Sequence, residues 1–384
     1  MSLSFGFRIF DRYIWRQVFG STLTGVIVLT GVMVLGNVFK EMERLLGDTS
    51  SLPLGAVAEF IGFVIPYSLI FTIPWALLTA ILLVFGRMSA DNEMTSLRMT
   101  GMSMPRICAP VFLLAILLCV VCYFVNVYLA PFAKNRIKSI FYDLALDKPE
   151  MLFQPGKVLD RFPEYRIYTA GRDGKKLKGV EIIQTDSGTE QLYVRADRAE
   201  VEVTPGEVDF VLRLHNAHCE QPEGKVEGGI VDVLNKLQSG NLGEMPMTFP
   251  LSKLKEKTDR VTDSMRDTAT LWKTVRNGHD DAGRYLTKNE ICSALTEVNM
   301  RYSFSLACIT FALVGIPLGI TAQRRETSVG FALSLGVATC YIVFIIIAKH
   351  LNEDPKVFPY VLMWMPNLIF LLVGGWLFLK LSRK

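Results

Sequence analysis

The chain has 384 residues, half of them hydrophobic and only 20% charged, with a formal net charge of +4. A soluble protein of this length is on average less apolar and more charged. The basicity is mild, and no basic stripe or aromatic-interleaved patch accompanies it, which excludes a nucleic-acid partner.

Six stretches carry no Asp, Glu, Lys or Arg: residues 17–39, 60–85, 107–133, 302–322, 327–348 and 357–379. A bilayer core of about 30 Å needs roughly 20 helical residues to cross it. Lipid cannot satisfy backbone polar groups, so spans of this kind are helices. The first stretch follows Arg8, Arg12 and Arg16, is long, and lacks a small-residue cleavage site. It reads as a retained span rather than a signal peptide. Eleven basic residues fall in the N-terminus, the second and fourth short loops and the tail, against four (Lys40, Arg44, Lys349 and Lys356) in the opposite loops. The excess puts both termini in the cytoplasm and the long central segment outside.

The expected domains are a transmembrane block over residues 1–133, an external insert over 134–301, and a second block over 302–384. In the first span, Ser21, Gly25, Gly31 and Gly36 are small. Lys40, Glu41, Glu43 and Arg44 follow at its outer end. Pro66 and Pro74 interrupt the second span and are candidate kinks. The loop after it, GRMSADNEMTSLRMTGMS (residues 86–103), is too polar to enter the bilayer. Ser89 is placed to cap a helix, Asp91 and Glu93 to sit in its first turns, and Met94, Leu97 and Arg98 to follow. Thr100 and Gly101 provide the stop. A short helix with acidic and apolar faces lying on the membrane surface is a handle that a separate protein can grip, or a plain connecting loop.

Lys134 to Leu146 extend the third helix beyond the bilayer, and Pro149 ends it. Short alternating runs then follow between turns such as GRDGKK. In VDFVLRLHNAHC, Val208, Phe210, Leu212 and Leu214 point one way and Asp209, Arg213 and His215 the other. Many short strands at this spacing predict a sandwich or jelly roll. An offset of three would send His215 and His218 to opposite faces, which argues against a metal site with Cys219. Cys219 and Cys292 lie in the insert, as one disulfide or as two free thiols. Residues 253–280 are polar, a helix or a loop. Thr287 and Glu290 form a capping-box pattern before Ile291, Leu295 and Val298, spaced for one helix face. The fourth span carries VGIPLGI, and the fifth has Gly330, Ser334 and Ala338 at every fourth position, a surface for close helix approach.

No ionisable residue lies mid-span, which argues against an ion path. Neither GxxxxGK[ST] nor HExxH occurs. Four histidines assemble no Ser–His–Asp set. The chain does not read as an enzyme.

GRMSADNEMTSLRMTGMS resembles the coupling-helix segment of the LptF/LptG (YjgP/YjgQ) permeases of lipopolysaccharide export. FDRYIWRQV near the N-terminus and VGIPLGI before the Arg324–Arg325 pair are similar too, and the plan of three spans, insert and three spans covers nearly the whole chain. The resemblance implies a six-span inner-membrane subunit of an ABC exporter with a periplasmic β-jelly roll. Its implied partners are a second permease (hetero- or homodimer), two cytoplasmic ATPase subunits and a periplasmic bridge. ATP and Mg would be bound by the ATPase and no cofactor by this chain. The implied cargo is lipopolysaccharide, extracted from the inner membrane and passed toward the outer membrane. On this resemblance Arg87, Asp91, Glu93, Leu97 and Arg98 belong to the ATPase-coupling helix. Gly31, Gly36, Gly330 and Ser334 fall in the lateral-gate helices. We read Lys40 and Arg44 as facing lipid phosphates or as ordinary residues snorkelling to the headgroups, and Val208, Phe210, Leu212 and Leu214 as lining the jelly-roll interior or forming only its packing core. The alternative is a non-transporting assembly or signalling protein whose periplasmic domain binds protein.

Overall fold

The computed structural model describes residues 9–45, 54–147, 150, 153–162, 165–186, 189–203, 209–220, 239–250, 262–279, 283–321, 327–352 and 354–383. They pack as two compact units. One comprises Met1–Leu35, Ile61–Asn135 and Thr262–Lys384, the other Gly36–Phe60 and Arg136–Val261.

The first unit is helical, and the ends of its helices that fall in residues 36–60 and 136–147 belong to the second. Helix α1 is Ile9–Leu45 and α2 is Leu54–Ala90, continuous through Pro66 and Pro74. A seven-residue helix α3 (Glu93–Met99) leads to α4 (Met104–Phe124). A π turn over Val125–Leu129 carries α4 into α5 (Ala130–Asp147), so the third span does run on past its apolar stretch. After the sheet come α6 (Thr268–Asn277), α7 (Lys288–Thr321), α8 (Thr327–His350), the short α9 (Pro359–Leu362) and α10 (Met365–Arg383). Six helical segments are long and apolar enough to cross a membrane: Ile9–Lys40, Val57–Ala90, Met104–Ile140, Lys288–Thr321, Gly330–His350 and Pro359–Arg383. Most outrun the charge-free stretches because charged residues at helix ends keep their heads in water while their stems stay in lipid.

The two halves of the helical unit share their cores. Ile14 and Val18 of α1, Leu77 and Ile81 of α2, Leu114 of α4 and Cys308 and Ile316 of α7 lie in one buried cluster. Glycines let the backbones meet. A Cβ at Gly319 would stand 3.4 Å from the Leu82 carbonyl oxygen, and one at Gly374 2.8 Å from Val314 Cγ2.

Residues 262–301, read from sequence as part of the insert, pack with the helical unit. Polar α6 buries Leu271 against Ala294 and Val298 of α7. The capping box forms as expected: Glu290 Oε2 accepts from the Thr287 N–H at 2.8 Å, and the Glu290 N–H donates to Thr287 Oγ1 at 3.3 Å. The buried face beyond it is Cys292, Ala294, Thr296, Glu297 and Val298, with Ile291 and Leu295 only half-buried.

The second unit holds a six-stranded antiparallel sheet in sequential order: β1 (Lys157–Phe162), β2 (Tyr165–Asp173), β3 (Lys176–Asp186), β4 (Thr189–Val203), β5 (Asp209–Glu220) and β6 (Ser239–Pro250). One face is an apolar core that includes Ile167, Ile182, Val194, Leu212 and Phe249. The other carries cross-strand ion pairs such as Lys176–Glu200 at 3.1 Å and Arg213–Glu202 at 2.8 Å. The Lys176 contact holds the Glu200 carboxyl below the usual carboxylate range.

A crease crosses five of the strands. Thr169 pairs with Val180 and Gly171 with Lys178, which leaves Ala170 facing Gly179 between them. The same gap recurs at Gly179 and Asp197, at Asp197 and Asn216, and at Asn216 and Gly243. Gly179 and Asn216 have φ of 59° and 53°. On β3, β4 and β5 the buried positions therefore step by three instead of two: Leu177 to Val180, Ala196 to Ala199, Leu214 to Ala217. A residue inserted into one strand kinks it and twists the pair. Aligned across five strands, the insertions interrupt the pairing at one position yet leave the register the same on both sides and the apolar face continuous.

The crease corrects one expectation. Asn216 takes up the extra position, so His215 and His218 fall on the same, polar face. His215 Nδ1 lies 3.3 Å from Glu244 Oε1 and His218 Nε2 3.3 Å from Glu220 Oε1. Among the described residues no group of three or more His, Cys, Asp or Glu side chains is placed to hold a metal ion.

Candidate functional site

The loop between the second and third spans is built from the end of α2, a tight turn and α3. Arg87 is exposed in the last turn of α2 and donates to Gln17 Oε1 of α1 at 2.6 Å. Ser89 does not cap α3, as its sequence position had suggested. It still belongs to α2, and its hydroxyl donates to the Ile320 carbonyl of α7 at 2.8 Å. The chain breaks at Asp91 and Asn92, where Asn92 adopts φ 60° and α3 begins with Glu93. Asp91 is therefore exposed in the turn, outside the helix. Asn tolerates this left-handed conformation better than most residues.

Three contacts fix the loop to its surroundings. Met94 is buried, and with half-buried Leu97 it joins the core shared by α1, α2, α4 and α7. Glu93 accepts a hydrogen bond from the Tyr13 hydroxyl, 3.3 and 3.4 Å from its two oxygens. Just beyond α3, Arg106 pairs at 2.6 Å with Asp11, whose side chain is 8% exposed. Gly101, at φ 82°, terminates α3 as expected, its N–H donating to the Arg98 carbonyl at 2.9 Å. Arg98 is half-buried, while Met99 is 85% exposed. Asp11, Tyr13 and Gln17 were missed in sequence, since nothing local ties them to a loop some 80 residues away. An exposed methionine beside a pinned acidic turn makes a small, rigid projection with mixed chemistry.

The other expected site residues fall elsewhere. Gly31 and Gly36 lie on exposed positions of α1, with nothing within 4 Å of where a Cβ would stand. Lys40 is exposed on the same helix. Arg44 belongs to α1, but its side chain lies outside the described residues. Gly330 packs on α2, where a Cβ would stand 3.3 Å from Leu83 Cδ2, and Ser334 Oγ accepts from Thr79 Oγ1 at 3.1 Å. Leu212 and Leu214 are fully buried on the apolar sheet face. Phe210 is in register with Phe249, though its side chain is outside the described residues, as is the whole of Val208.

Polar groups of the spans have structural partners. Asn367 donates to the Ser303 hydroxyl and carbonyl at 2.8 Å and accepts from Thr310 at 3.2 Å. Asn126 donates to Ser305 Oγ at 3.2 Å. Glu59, at the end of its span, pairs with Arg136 at 3.0 Å. Arg301, buried in α7, donates to Thr268 Oγ1 at 2.6 Å, to the Asp263 and Arg266 carbonyls at 3.2 and 3.0 Å, and to Glu297 at 3.4 Å. Cys219 and Cys292 are free, and burial pushes the Cys219 thiol above its usual range.

Against known families, residues 12–380 match the one described as the lipopolysaccharide export system permease LptF/LptG. The chain belongs to the LptF/LptG family. The match takes in all six apolar helices, α3 and the sheet, so the LptF/LptG assignment applies to the whole architecture rather than to one half. It makes the chain a multi-pass inner-membrane permease component of lipopolysaccharide transport. Comparison with curated proteins gave no significant match.

Proposed function

We propose that the chain is the transmembrane permease subunit of an ABC exporter that lifts lipopolysaccharide out of the inner membrane and hands it to a periplasmic bridge. A separate cytoplasmic ATPase powers it, and a second permease, identical or related, completes the transmembrane part. Both termini and α3 face the cytoplasm, and the sheet unit is periplasmic and of jelly-roll type. One observation carries this reading: α3 is a short projection pinned from behind by Met94, Tyr13 and the Asp11–Arg106 pair, with Asp91 and Met99 left exposed. A handle must be stiff to transmit force, and this one is tied to both of its flanking spans and to α1.

In this mechanism ATP, bound with Mg by the partner, closes the ATPase dimer and moves α3. The spans follow and narrow the space that holds the acyl chains. Each CH₂ leaving the bilayer costs about 0.8 kcal/mol, so a lipid with several chains needs a motor and an apolar receiving surface. The apolar sheet face with Leu212 and Leu214 is that surface, α1 and α8 are the gate helices, and Lys40 and Arg44 meet the lipid phosphates.

The test is copurification from gently solubilised membranes. The wild-type chain should bring down an ABC ATPase and a second six-span permease. Changing Asp91 and Glu93 together to Arg should lose the ATPase and keep the permease. If no ATPase associates with the wild type, the exporter reading fails and the sheet unit becomes a protein-binding module.

A further inference from the structure

Helices α1 and α8 both reach α2 along a single row of its residues. Thr72, Ala76, Thr79 and Leu83 are spaced four, three and four apart, which places them on one face. On α1, Thr30 Oγ1 lies 2.9 Å from Thr72 Oγ1, and a Cβ at Gly25 would stand 3.1 Å from Ala76 Cβ. On α8, Ser334 accepts from Thr79 at 3.1 Å, and Gly330 rests on Leu83. Each helix thus makes one small-residue contact and one hydroxyl pair. The pairs sit seven residues apart on α2, about 10 Å along its axis.

The Thr79 pair has a second property. The same Thr79 hydroxyl lies 2.9 Å from the Trp75 carbonyl of its own helix, and Ser334 Oγ lies 2.7 Å from the Phe331 carbonyl. A hydroxyl has one proton to give. Thr79 can give it to Ser334, holding α8, or turn it back to Trp75. In apolar surroundings a polar group that loses its partner is penalised. Here neither hydroxyl is orphaned when the helices part, because each keeps a carbonyl one turn back.

We propose that Thr79 and Ser334 form a releasable catch between α2 and α8, with Thr30 and Thr72 as its counterpart on α1. The row on α2 is then the common bearing on which both helices move. These are positioning residues. Their role as parts of a transport gate rests on the exporter reading, but the catch is a statement about helix populations and is measurable without it.

The experiment uses the full chain with its copurifying partners in nanodiscs. Genetically encoded spin labels go at Ile65 on α2 and Ile346 on α8, both exposed. The ratio of separated to closed populations is read by pulsed electron resonance. Interhelical hydrogen bonds in membranes average a free energy equivalent to about a threefold shift. Thr79→Val and Ser334→Ala should each raise the separated fraction about threefold. The double variant should raise it no further, because both remove the same bond, and Thr79→Ser should restore the wild-type ratio. Unchanged ratios in both single variants, or a roughly ninefold shift in the double, would overturn the catch. Release of lipopolysaccharide by the wild-type complex under ATP is scored separately. Its absence sinks the exporter reading and leaves the population result standing.

Discussion

Replacing Arg301 by Met keeps the aliphatic stem and removes the guanidinium. Arg301 is 3% exposed and its four acceptors come from three places: Glu297 on its own helix, the Asp263 and Arg266 carbonyls of the turn before α6, and Thr268 on α6 itself. Thr268 in turn donates to the Val127 carbonyl in the π turn at 3.2 Å, so the guanidinium closes a chain from α7 through α6 to the third span. Losing it leaves the Glu297 carboxylate buried without its ion-pair partner, and breaking a buried pair from one side costs about 3–5 kcal/mol. Glu297→Leu leaves the cation with three oxygen acceptors, which predicts a smaller loss of about 1–3 kcal/mol. In the double variant no carboxylate is stranded, so the loss should fall short of the two single losses combined by about 2 kcal/mol. Denaturant unfolding of the full chain in mixed micelles measures all three, and limited proteolysis between Asp263 and Asn277 reports whether α6 has come loose. An Arg301→Met chain as stable as wild type would refute the claim that Arg301 ties α6 to α7, and a double variant showing full additivity would refute its coupling to Glu297.

Three further outcomes follow from close contacts and burial. Gly374→Ala places a Cβ 2.8 Å from Val314 Cγ2 and 3.1 Å from backbone atoms of Leu313 and Val314, so thermal stability in detergent should drop by about 1–3 kcal/mol as α10 is pushed off α7. Gly179→Ala adds strain of about 1–2 kcal/mol at φ 59° and sets its Cβ 2.9 Å from Ala170 Cβ. Hydrogen exchange should rise in β2 and β3 around the crease while the helical unit is unchanged. Burial raises the Asp263 carboxyl above its ordinary value, against the pull of Ser293 and Arg266. The folded state then holds its proton more tightly than the unfolded state. Stability falls as pH climbs from the ordinary carboxylate range through the raised folded value, and Asp263→Asn should flatten that part of a melting-temperature profile.

Much of the helical plan was legible because its signals are local. A charge-free run long enough for a bilayer announces itself. So do Thr287 with Glu290, and Gly101 at the end of α3. The break at Asn92 was hidden, since Ser89 and Asp91 form an equally good start signal and only contact with Ile320 shows that Ser89 belongs to α2. The His215–His218 face was misjudged for a related reason: strict alternation assumes a regular strand, and the irregularity at Asn216 is visible only beside Asp197 and Gly243. Residues 262–301 looked like insert because α6 is polar along most of its surface, and the few groups that bind it, Leu271 and Thr268, find their partners on α7 and in the π turn.

The crease also bears on how such a chain can change length over generations. Ala170, Gly179, Asp197, Asn216 and Gly243 are separate in sequence but occupy one transverse line of the sheet. Deleting any one of them restores simple alternation in its own strand alone, and every residue beyond it slips by one position against neighbours that have not moved, so its inward and outward side chains no longer match theirs. Such a deletion survives only if its neighbours change with it. Relatives of this chain should therefore show these five positions gained or lost together, while the hairpin tips a few residues away vary one at a time.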